Sequence, residues 1–98
     1  MRPALCVTVR AEATPGLDHE FERMLCELAD QVRALEKGCA SYAATRAMGS
    51  RTHFAVHARF TGWIALHRHA QTPHMKQALP LLTALMVSPM SLEIFMEV

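Results

Sequence analysis

From Leu5 onward the chain alternates: Leu5, Val7, Val9 and Ala11 fall on one side, and Cys6, Thr8, Arg10 and Glu12 on the other. That two-residue period predicts a strand, and Thr14-Pro15-Gly16 ends it. Between Leu17 and Lys37 the spacing changes. Phe21, Leu25, Leu28, Val32 and Leu35 follow one another at four, three, four and three residues, one apolar stripe of an amphipathic helix. Asp18, Glu20 and Glu22 stand in its first turns, where carboxylates suit the helix dipole, and Gly38 reads as its stop signal. Cys39 to Ala47 and His53 to Phe60 predict a hairpin joined by Met48-Gly49-Ser50-Arg51. Phe54, Val56, Ala58 and Phe60 take one face of its second strand, and His53, Ala55, His57 and Arg59 the other. Thr61-Gly62 opens a short helix through Ala70 with Thr61 as N-cap. Gln71-Thr72-Pro73 interrupts it, helix resumes from His74 to Leu79 before Pro80, and Leu81 to Met86 add an apolar turn or two. After Ser88-Pro89, the segment Ser91 to Val98 alternates as a closing strand.

The order β-α-β-β-α-β is that of the ferredoxin-like α+β fold, an antiparallel sheet with helices on one face. The face bearing Cys6, Thr8, Arg10, His53, Ala55, His57 and Arg59 must then meet water or a partner, and its mixed character suits a homodimer packed sheet to sheet. The 98 residues make one domain, 1–98. A hydrophobic fraction of 51% is high for a chain able to bury roughly 60–70% of its unfolded surface, which points to a partner surface, a ligand cavity, or both. Ten basic and nine acidic residues give a net charge of +1 and are dispersed, so no basic footprint for nucleic acid is expected. No apolar run has the length of a signal peptide or a membrane span, and the expected compartment is the cytoplasm. Cys6, Cys26 and Cys39, odd in number and without a CxxC pair, read as reduced thiols serving as small core residues.

Several segments together resemble the antibiotic biosynthesis monooxygenase family over nearly the whole chain. They are Thr14-Pro15-Gly16 followed by Phe21, Lys37-Gly38-Cys39, the strand Phe54 to Phe60, the run Ala65-Leu66-His67-Arg68-His69-Ala70-Gln71-Thr72-Pro73-His74, and Leu79-Pro80-Leu81-Leu82. The resemblance implies a dimeric α+β barrel. For members that oxidise aromatic compounds it implies chemistry without flavin, haem or metal: a base deprotonates a phenol, anthrone or hydroquinone, and the electron-rich anion passes an electron to dioxygen. An apolar pocket lined by Val9, Phe21, Phe54, Val56, Ala58, Phe60 and Leu66 would suit a flat aromatic or other small apolar ligand. Trp63 would either cover its entrance or pack on the partner, and His69 or His74 would be the base.

The departures bear on function. The family commonly carries Glu and Trp near the end of the third strand and an acidic residue before the second helix, where this chain reads His57-Ala58-Arg59-Phe60-Thr61-Gly62. Haem-degrading relatives use Asn, Trp and a ligating His at positions that here hold Val9, His69 and Leu79, so neither haem nor another cofactor is expected. His67 and His69 diverge on a helix, and His53 and His57 share a face with Arg59, which opposes a cation; no metal site is expected. Arg59 should serve an ion pair at the dimer interface. Two function classes stand at this stage. One is a cofactor-independent monooxygenase acting on a small aromatic molecule, with His69 or His74 as base. The other is a non-catalytic dimeric domain that binds a small apolar molecule or serves in regulation.

Overall fold

The computed structural model describes residues 3–98; residues 1 and 2 of the expected domain lie outside the described residues. The elements run β1 (Leu5–Glu12), α1 (Asp18–Leu35), β2 (Cys39–Arg46), β3 (His53–Phe60), α2 (Trp63–Gln71), α3 (Pro73–Ala84) and β4 (Ser91–Met96). The strands form one antiparallel sheet in the order β2-β3-β1-β4. This is the expected ferredoxin-like arrangement, with the second helical region divided into α2 and α3. No helix among the described residues is long and apolar enough to cross a membrane.

The alternation that predicts the strands also assigns the faces. Val7 pairs with Ala58 and Ile94, and Val9 with Val56 and Leu92, so apolar residues of three strands lie side by side on the inner face. The α1 stripe packs there: Phe21, Leu25, Leu28 and Val32 are all buried, and the Phe21 ring lies 5.0 Å from that of Phe54. Each such side chain contributes about 1.5–3 kcal/mol on burial. Leu35 continues the stripe but is exposed, because the packing stops at Val32, one turn before the helix ends. Turns before α1 and within the hairpin place Gly16 (φ +90°) and Gly49 (φ +78°) in the left-handed region, which residues with a Cβ avoid.

Four local expectations are corrected. Thr61 does not cap α2; the N-cap is Gly62, with no side-chain hydrogen bond, and the capping hydroxyl belongs to Thr72, which accepts from Met75 N–H at the start of α3. Pro80 does not end the helix, since α3 continues to Ala84. The bond Pro80 cannot donate would go to Lys76, and both residues are exposed, so water can satisfy that carbonyl. Gly38 is no left-handed cap either. A Cβ there would stand 2.5 Å from the Ala65 Cβ, so its role is to let α2 approach the α1–β2 junction. The cysteines are free, but only Cys39, partly buried, packs against the core; Cys6 is partly buried elsewhere and Cys26 is exposed. Cys26 follows Leu25 by one position, about 100° around the helix and off the buried stripe.

On the outer face Arg59 reaches Glu97 of its own chain through two hydrogen bonds of 2.9 and 3.0 Å, and Arg10 reaches Glu93 at 2.8 Å. Arg59 is therefore paired without a second copy, and its guanidinium holds the Glu97 carboxyl below the ordinary carboxylate range.

Candidate functional site

Between the inner sheet face and the helices lies a cavity of about 1020 Å³. Of the residues singled out from the sequence, Val9, Phe21, Val56, Ala58, Phe60, Trp63, Leu66 and His69 line it. Phe54 and His74 do not. Phe54 is consumed in packing against Phe21, and His74 stands behind the wall. Ala58 keeps the floor low where a longer side chain would intrude. Met75 and Leu82 of α3 and Leu92 and Ile94 of β4 complete an interior that is overwhelmingly apolar, with Trp63 largely exposed at its rim.

Against one wall stands a polar cluster drawn from three helix ends, of which only His69 lines the cavity. Glu36 is the C-cap of α1, its backbone extended (φ −108°, ψ 101°) and its N–H bonded to the Val32 carbonyl. This turns the side chain from the solvent toward α2. His69 lies in the last turn of α2 and His74 in the first turn of α3, on either side of the Thr72-Pro73 break. The His69 Nδ1–H donates to both carboxylate oxygens of Glu36, at 2.9 and 3.0 Å, and the His74 Nε2–H donates to Oε2 at 2.5 Å. All three side chains are at most one-tenth exposed. A carboxylate can only accept, so each facing ring nitrogen must carry its proton. For His69 this fixes the hydrogen on Nδ1 and leaves Nε2 with a lone pair whenever the ring is neutral. Among the described residues no buried side-chain nitrogen or oxygen lacks a partner. His69 Nε2 has no protein partner, so it is open to the cavity that the ring lines. The same carboxylate–imidazole relation holds a histidine base in register in hydrolytic triads.

The His69 ring is wedged between Phe60 and Tyr42, with centroids 5.0 and 5.7 Å away and interplanar angles of 52° and 49°. Tyr42 also lines the cavity. Its burial, then the nearby Cys39 and Glu36, push the phenol pKa up to about 12. The hydroxyl therefore remains a donor throughout the neutral range, and it too lacks a protein partner.

Glu36 and Tyr42 were not legible as site residues from local pattern. Glu36 sits beside Lys37 at a helix end and reads as a solvated charge, while Tyr42 reads as one more strand aromatic. A signal did exist: no Asp or Glu occurs between Glu36 and Glu93, so few carboxylates were available to the buried histidines of α2 and α3. The two imidazoles aim at the carboxylate oxygens themselves, and among the described residues no group of three or more His, Cys, Asp or Glu is arranged to hold a metal ion.

The family profile described as antibiotic biosynthesis monooxygenase matches residues 4–80. Among solved structures, one similar protein is from Caulobacter crescentus and bears that family's name; it is 26% identical, with 99% of this chain and 92% of that chain covered and a TM-score of 0.93. A Pseudomonas aeruginosa protein is 23% identical over 100% of this chain and 97% of its own, with a TM-score of 0.90. A Bacteroides thetaiotaomicron protein of unknown function, described as a possible oxidoreductase, is 20% identical over 98% and 99% of the two chains, also with a TM-score of 0.90. No curated protein matches the sequence.

Proposed function

Because the chain belongs to the antibiotic biosynthesis monooxygenase family, we propose that it is a cofactor-independent monooxygenase that oxidises a small phenol, hydroquinone or anthrone-like molecule with dioxygen in the apolar cavity. The observation that carries this proposal is the buried Glu36–His69 pair. It orients the ring of a histidine that lines a largely apolar cavity. His69, rather than His74, is the base, since of these two it is His69 that lines the cavity.

For an anthrone-like substrate, His69 Nε2 takes a proton from the ring methylene, and the resulting anion gives one electron to dioxygen. The carbon radical and superoxide join in a C–O bond. The hydroperoxide then breaks its O–O bond as the second C–H proton leaves, so that CH₂ and O₂ become C=O and H₂O. The protein's part is to orient the substrate, exclude water and match the base to the proton it removes. Tyr42, remaining protonated, donates a hydrogen bond to the oxygen on which the anion's charge collects.

The working form we propose is a homodimer, supported by the exposed apolar side chains of β4: Leu92, Phe95 and Met96 are each more than half exposed. The three free thiols suit a reducing compartment, the cytoplasm.

Oxygen consumption with a panel of hydroquinones and anthrones, in metal-free and flavin-free buffer, tests the assignment. Turnover is expected for the wild type, with a fall of about 10²–10⁴-fold in His69→Ala. Phenols that bind without oxygen uptake would instead make the chain a non-catalytic binding or regulatory domain.

A further inference from the structure

The ionisable side chains of the helical layer over the cavity are all bases. Across α2 and α3 lie His67, Arg68, His69, His74 and Lys76, and no acidic residue. Glu36 engages two of them, His69 and His74. Two others, His67 and Lys76, are exposed and line the cavity. Among the described residues neither has a carboxylate within ion-pair distance, whereas Arg10, Arg23, Arg33, Arg46 and Arg59 all do. Among the described residues no carboxylate lines the cavity.

From this we infer that the ligand is an aromatic acid, its rings in the apolar interior and its carboxylate at the rim beside the Lys76 ammonium and the His67 imidazole. The inference rests on the cavity being the binding site and adds to it the class of molecule bound. Three features converge. An apolar chamber with a cationic, acid-free rim attracts an anion and focuses its approach. The hydrophobic effect holds the rings inside. The carboxylate stays at the wet mouth, so its hydration is only partly given up. A neutral aromatic ligand would leave the rim charge without a use in recognition.

The test uses the full chain and two fluorescent probes of the same ring system, 2-naphthol and 6-hydroxy-2-naphthoate, titrated at neutral pH. The acid should bind roughly three- to tenfold tighter at low ionic strength, with the advantage shrinking as salt is raised. In the double variant Lys76→Ala, His67→Ala the ratio of the two affinities should approach one, and in Lys76→Glu the preference should reverse. Because each ratio is taken within one protein, 2-naphthol reports whether the chamber itself is intact. If 2-naphthol binds and the acid binds no tighter, or if the acid keeps its advantage in Lys76→Glu, the rim assignment is overturned while the cavity stands. If neither probe binds, the cavity is not a ligand site and the inference falls with it.

Discussion

Glu36 accepts from two rings at once, so its loss is felt twice. Glu36→Ala would leave two imidazole N–H groups without acceptors in a region that is about nine-tenths buried. At about 1–3 kcal/mol for each orphaned donor, we expect a destabilisation of about 2–6 kcal/mol, read from chemical denaturation. A loss below about 0.5 kcal/mol would place the cluster in water rather than in the protein interior. Tyr42 makes a pH prediction whose sign can be worked out. Burial pushes its phenol up to about 12 in the folded chain, against about 10 in the unfolded one. Below pH 10 both states keep the proton, and the contribution to stability is whole. Between 10 and 12 the unfolded chain releases its proton first, so stability falls as pH rises. The two-unit shift corresponds to roughly 2–3 kcal/mol. Comparing wild type with Tyr42→Phe at about pH 9 and about pH 11.5, the wild type should lose most of that amount relative to the variant; a constant difference would mean that the phenol titrates freely. At this scale the sequence was half informative. The run Ala65 to His74 marked His69 as a candidate base through the family resemblance, but its carboxylate lies 33 residues away, beyond the reach of any local periodicity.

The elements themselves were largely legible because β1, β3, β4 and α1 each carry one unbroken period, and tertiary packing uses the apolar phase that the period marks. Reading failed where local chemistry and packing disagree. Pro80 punctuates a sequence, yet α3 passes through it on its solvent side. Gly38 has the position of a helix terminator, yet serves as a gap between two elements. That gap sets where α2 sits, and hence where His69 meets Glu36. Gly38→Ala would place a methyl group 2.5 Å from the Ala65 Cβ, forcing α2 outward at a cost of roughly 1–3 kcal/mol in thermal or denaturant unfolding. Pairing it with Ala65→Gly removes the colliding atom, and the double variant should recover part of the loss despite the roughly 1 kcal/mol penalty of glycine within a helix. Additive losses in the double variant would show that the contact is not what Gly38 provides.

The whole molecule leaves β4 uncovered, every residue of the strand being exposed. An edge of this kind, with Phe95 on the outer face and Leu92, Ile94 and Met96 in register with the inner one, invites a second chain. Light scattering at micromolar concentration should give the mass of a dimer, and a monomer there would remove the homodimer from the proposal. The sequence pointed to the proposed dimer through a hydrophobic fraction too large for one small core. It could not point to a link between dimer and cavity, since that depends on which strand closes the chamber. Leu92 and Ile94 form part of the cavity wall and also of the exposed edge, so a molecule inside the chamber touches the strand that a partner would steady. Occupancy and assembly then become reciprocal effectors: whatever factor the guest adds to the dimerisation constant, dimerisation must add to the affinity for the guest. Sedimentation across a dilution series, with and without saturating 2-naphthol, should show the dimer persisting to lower concentration when the probe is present. In the same series, the dissociated chain should hold the probe more weakly by the matching factor. An affinity independent of protein concentration would mean that the chamber is complete in a single chain, and that its guest has no part in holding two chains together.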